Sequence, residues 1–113
     1  MRALPSILPE WLRAERVDVI ISNWNELLDI FPAAHIRVPE QVAFASLDAV
    51  PTSPQVAGVV QNHRLVGIRA MEQLCLMAET HQRGATETQS ITYVPGFWRD
   101  GATTPIRSRT WYP

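Results

Sequence analysis

At 113 residues and 46% apolar side chains, the chain has room for one domain with a real core and does not have the composition of a disordered segment. Ten basic and eleven acidic residues leave a formal charge of -1, so one strongly basic face would require an equally acidic one elsewhere, which disfavours nucleic-acid binding by this stretch. No run approaches the roughly 20 apolar residues of a membrane span, and "MRALPSILPEWLRAER", broken by Pro5 and Pro9, makes a poor signal peptide. The expectation is a cytoplasmic protein with no membrane partner.

In chain order, "PEWLRAER" after Pro9 predicts a short helix in which Trp11 and Leu12 pack. Val17 to Ser22, "VDVIIS", is β-branched and nearly all apolar, the pattern of a strand buried on both faces. "NWNELLDIF" follows with Trp24, Leu27, Leu28 and Phe31 at helical spacing, Asn23 as a candidate N-cap and Pro32 as the stop. Val42 to Leu47, "VAFASL", predicts a second buried strand, and strand, helix and strand together make a βαβ unit. "AVPTSPQ" reads as a loop, and Ala57 to Gln61 as a short third strand.

The longest helix is expected at about His63 to Gln82, capped by Asn62 and stopped by Gly84. Its apolar stripe holds Val66, Ala70, Met71, Leu74, Cys75 and Ala78. Gly67 inside it suggests close packing against a backbone, because Gly there costs about 1 kcal/mol relative to Ala. Cys75 is the only cysteine, which excludes an internal disulfide and fits a reducing compartment. Its apolar neighbours predict a packed thiol. "SITYVPGF" reads as a last strand, "RDGATTP" as a turn, and residues 106–113 as an irregular tail. The fold class expected is α/β, a parallel sheet with flanking helices.

The strands run out at Ser22-Asn23, Asp48 and Gln61, so each delivers a carboxylate or carboxamide to its carboxyl end. That edge is where open α/β sheets bind ligands, and these groups suit a polyhydroxylated one. Each residue also has a plain structural role open to it: Asn23 as helix cap, Asp48 as the start of a turn, Gln61 bonded to nearby backbone. His35, His63 and His81 lack metal-ligand spacing, and no phosphate-binding or nucleophile motif is present. Neither metal, cofactor nor catalytic residue is expected. Trp11, Trp24, Trp98 and Trp111 are too dispersed to imply a stacking platform.

From about Leu8 to Pro105 the chain resembles the effector-binding core of the lac-repressor-like (LacI/GalR) bacterial transcriptional regulators. Four stretches carry the resemblance in order: "PEWLRAERVDVIISN", "IRVPEQVAFASLD", "VAGVVQNHRLVGIRAMEQLCLMAETHQRG" and "VPGFWRDGATTP". Asn23, Asp48, Gln61 and Gly67 fall on family positions, whereas Trp24 and Ala49 stand where the family carries acids. The resemblance implies part of a periplasmic-binding-protein-like (type I) fold. Residues 1–105 would be the carboxyl-terminal portion of the effector-binding core, with the 63–84 helix belonging to its other lobe.

It further implies a sugar-like or nucleobase-like small-molecule effector held by Asn23, Asp48 and Gln61, and a homodimer face on Leu27, Leu28 and Phe31 and the loop after Asp48. Operator DNA would be met only through an amino-terminal helix-turn-helix that this stretch does not include. The 63–82 helix, whose family packing partner is another sheet, is then expected to fold back, to pair with a second chain or to stay mobile. A competing reading is a sugar-binding protein of the transport class with the same fold. A small enzyme using Asp48 and His63 ranks last.

Overall fold

A computed structural model of the chain describes residues 3–85 and 87–105; the expected tail, 106–113, and Thr86 lie outside them. The chain is α/β, with helices α1 (Leu4–Ala14), α2 (Leu27–Ala33) and α3 (His63–Glu79). Strands β1 (Val19–Ser22), β2 (Ala43–Ser46), β3 (Gly58–Val60) and β4 (Phe97–Arg99) form one sheet in the order β1-β2-β3-β4. β2 pairs parallel with β1 and with β3. The described residues fall into two compact units, residues 3–60 with 98–105, and residues 61–85 with 87–97.

The first unit is built around an edge-to-face pair, Phe31 of α2 and Phe44 of β2, with ring centroids 6.0 Å apart. Both rings are essentially inaccessible, at 1% and 0% exposure. Leu8 and Leu12 of α1 cover them together with Ile36, Val42 and Val56. A pair of this geometry adds about 0.5–1.5 kcal/mol beyond the area it buries.

β1 and β2 run in register from Val19↔Ala43 to Ser22↔Ser46. β2 is buried along its whole length, as its apolar run predicts. β1 departs from the expectation of two buried faces. It lies at the sheet edge, where Ile20 packs on the core and Ile21 on the opposite face is 63% exposed.

The first helix begins earlier than expected, at Leu4, and carries Pro9 inside it. Pro5 occupies the first turn, where no N–H is needed, and Leu8 and Leu12, one turn apart, anchor the stretches on either side of Pro9 to the core. Trp11, expected to pack, is half exposed. The second helix starts at Leu27, because residues 24–26 form tighter turns through Leu27 N–H to Trp24 O and Leu28 N–H to Asn25 O. Asn23 is therefore not its N-cap; that position is Glu26, without a side-chain cap. Pro32 sits in the last turn and not after it.

The return of the chain through residues 99–104 closes the first unit. Thr103 accepts the Phe44 N–H at its carbonyl (2.8 Å) and the Ala57 N–H at its hydroxyl (2.9 Å). Gly58, at φ +154°, lies so close to β2 that a Cβ there would overlap the Ser46 carbonyl.

In the second unit α3 spans 17 residues and buries none of them. Asn62 precedes it in the left-handed region (φ 57°), a conformation Asn tolerates, but its side chain makes no cap bond. The helix stops before Gly84. His81 takes the left-handed position (φ 54°), and the bonds Gln82 N–H to Met77 O and His81 N–H to Ala78 O close the end in a Schellman arrangement.

Gly67 packs against nothing, contrary to expectation: no atom lies within 4 Å of where its Cβ would be. Cys75 is exposed, so its apolar neighbours in sequence do not bury it. Residues 90–96 form no strand; pairing begins only at Phe97.

Two glycine substitutions should therefore act in opposite directions in urea denaturation. Gly58→Ala should destabilise the chain by about 2–4 kcal/mol through the clash with Ser46. Gly67→Ala should raise the helicity of α3 and stabilise it by about 1 kcal/mol.

Candidate functional site at the carboxyl edge of the sheet

Parallel pairing of β1 with β2 sends both chains out at one edge of the sheet. Ser22 and Ser46 are register partners, Asn23 follows the first directly, and Asp48 lies two residues beyond the second. Leu47 N–H donates to Ser22 O at 2.9 Å and Ala49 N–H to Val59 O at 2.8 Å, so the pairing continues past the strand ends.

Two serine hydroxyls shape this edge. Ser22 Oγ accepts the Trp24 N–H (3.0 Å), turning the chain into the approach to α2. Ser46 Oγ donates to Asn25 Oδ1 (2.6 Å) and accepts the Asp48 N–H (3.0 Å). Asn25 Nδ2 in turn donates to the Asp48 carbonyl (2.9 Å). A closed ring of three hydrogen bonds thus joins Ser46, Asn25 and Asp48. It locks the turn that follows β2 to the turn that follows β1.

Asn25, not Asn23, is the carboxamide that organises the edge. Asn23 is exposed, and Asp48 is half-buried with its backbone held by the ring. The sequence signal that points to Asn25 is the repeated amide in "NWN", but its partners lie more than twenty residues away, beyond the reach of local pattern. Gln61 opens the second unit and is exposed, and His63 is the first residue of α3. Leu27 and Leu28 are half-buried and pack onto the core that contains Phe31.

Beside the ring, a cleft of about 260 Å³ separates the start of α2 from the loop at 50–56. Asn25, Glu26, Asp29, Ser53 and Gln55 line it, so its walls offer carboxylates, carboxamides and a hydroxyl. Such a lining both accepts and donates, and the volume falls just below the usual range for small-molecule pockets. The loop wall is fixed by Arg99, whose NH2 group donates to the carbonyls of Ser53 (2.8 Å), Val50 (3.1 Å) and Val56 (3.1 Å).

Among the described residues no three His, Cys, Asp or Glu side chains gather as metal ligands, and no helix is long and apolar enough to cross a membrane. No family model, curated protein or solved structure matches the chain.

Removing the Asn25 carboxamide should cost stability out of proportion to its exposure. Asn25→Ala leaves the Ser46 hydroxyl and Asp48 carbonyl without their partner and should cost about 1–3 kcal/mol in urea denaturation. Asn23→Ala should stay within about 0.5 kcal/mol of the parent. Arg99→Lys retains charge but not the guanidinium's planar donor geometry, and should speed amide exchange across residues 50–56.

Proposed function

We propose that this chain is a ligand-sensing portion of a LacI-type transcriptional regulator, with a periplasmic-binding-protein-like fold and a sugar-like effector at the carboxyl edge of its sheet. The observation that carries the reading is the ring of Ser46, Asn25 and Asp48. It holds two strand-end turns rigidly at the one edge where α/β sheets take ligands. Asp48 and Asn23 are the residues assigned to effector hydroxyls, and Asn25 positions the turn that carries Asp48.

The role is recognition rather than chemistry. The edge presents acceptors and amides suited to a neutral polyol. Operator contact is assigned to a separate helix-turn-helix, in keeping with a net charge of only -1 over this sequence.

Calorimetric titration with a panel of neutral monosaccharides tests the assignment. Loss of a charge-assisted hydrogen bond costs roughly 1.5–3 kcal/mol, so Asp48→Ala should weaken binding of the sugar that binds by about ten- to a hundredfold. Unchanged affinity in that variant would make Asp48 a turn residue only. The chain should also give no salt-dependent shift of duplex DNA, and specific binding there would contradict the division of labour.

A further inference from the structure

α3 is the longest helix among the described residues, and it buries no side chain. At about 100° per residue its apolar side chains spread over roughly 280° of the helix circumference, far wider than the stripe of a helix with one dry face. Yet Met71 is 59% and Leu74 60% exposed. One face of it forms an open, mostly apolar groove lined by Ile68, Met71, Cys75 and Leu76, with Glu72, itself paired with Arg69, at its middle and Glu79 at its end. On the same face, four residues before Ile68, stands Arg64.

The charges on this helix are arranged against its own dipole. Its first turn has no acidic residue and contains Arg64; its last turn has no basic residue and ends at Glu79. Arg69 and Glu72 repeat the order in the middle, joined at 2.8 Å. Positive charge at a helix N-terminus and negative charge at its C-terminus are both unfavourable. An antiparallel neighbour of identical sequence reverses each of these terms. Arg64 then lies beside the partner's carboxyl end and its Glu79, and Glu79 beside the partner's amino end and its Arg64.

From these features we infer that α3 pairs antiparallel with the α3 of a second copy of this chain about a two-fold axis near Met71. Ile68, Met71 and Cys75 form the dry seam, and two Arg64–Glu79 contacts close its ends. The midpoint between Arg64 and Glu79 falls between Met71 and Glu72, close to the centre of the helix, so a two-fold axis there makes the interface self-complementary, as a two-fold contact must be. The inference rests on the residues of α3 and not on the regulator reading. It is also separate from the dimer face that the resemblance assigns to Leu27, Leu28 and Phe31.

Sedimentation equilibrium of the 113-residue chain and its charge variants provides the test. The parent should self-associate, and Arg64→Glu or Glu79→Arg alone should weaken association by about tenfold, since each places like charges at both ends of the seam. An equimolar mixture of the two variants restores opposite charges at both ends and should recover the parent's association, as should the double variant R64E/E79R. Met71→Glu, in the seam itself, should abolish it. Circular dichroism confirms that each exposed substitution leaves the helix formed. A parent chain that stays monomeric at high micromolar concentration would overturn the inference. So would association that is indifferent to the charge swaps, or single variants that weaken it without recovery in the mixture.

Discussion

Ser46 joins three parts of the first unit at one residue. Its backbone is the register partner of Ser22 on one side and of Gly58 on the other, and its N–H donates to Ala57 O at 2.8 Å. Its hydroxyl, with the residue only 1% exposed, both donates to Asn25 and accepts from Asp48. A small side chain with both donor and acceptor capacity is required there. Valine would fill similar space but satisfy neither neighbour, and a buried polar group left unmatched is costly. The close approach of β3 on its other side explains why position 58 is glycine: the Ser46 carbonyl occupies the space of a Cβ.

From that residue outward the architecture follows a short chain of causes. The βαβ order makes β1 and β2 parallel, parallel strands bring their carboxyl ends to one edge, and the serine hydroxyls tie the departing turns there. Beneath the sheet, Phe31 and Phe44 hold α2 in place, which fixes where Asn25 stands two residues before the helix. The segment at 99–104 secures the loop between β2 and β3 and the amino-terminal side of both strands. Arg99 binds three loop carbonyls, and Thr103 accepts the N–H groups of Phe44 within β2 and of Ala57 just before β3.

The strands were the most legible part of this structure in its sequence. β2 is a run of apolar residues buried on both faces, and local composition alone locates it. β1 has the same composition, but its position at the sheet edge depends on partners no local pattern contains, so one of its faces stays open. The same limit explains the site. Asp48 is visible as a polar residue after an apolar run, whereas Asn25 matters through bonds to residues 21 and 23 positions away. For α3, an apolar pattern correctly marks a helix but says nothing of whether its faces find cover; Cys75 and Gly67 both stand in the open. The span at 90–96 misleads for a related reason. Ile91 and Tyr93 have strand-forming side chains but remain exposed, and sheet pairing resumes only at Phe97.

The central claim is that the edge ordered by Ser46, Asn25 and Asp48 is where a small polyhydroxylated ligand rests. Intermolecular nuclear Overhauser effects between a bound monosaccharide and the ¹⁵N,¹³C-labelled chain address it most directly. The account predicts contacts from the sugar protons to residues 23–25 and to Asp48, and their loss in Ser46→Ala, whose hydroxyl no longer holds the two turns together. Contacts that fall elsewhere on the chain, or that persist unchanged at this edge without the Ser46 hydroxyl, would contradict it.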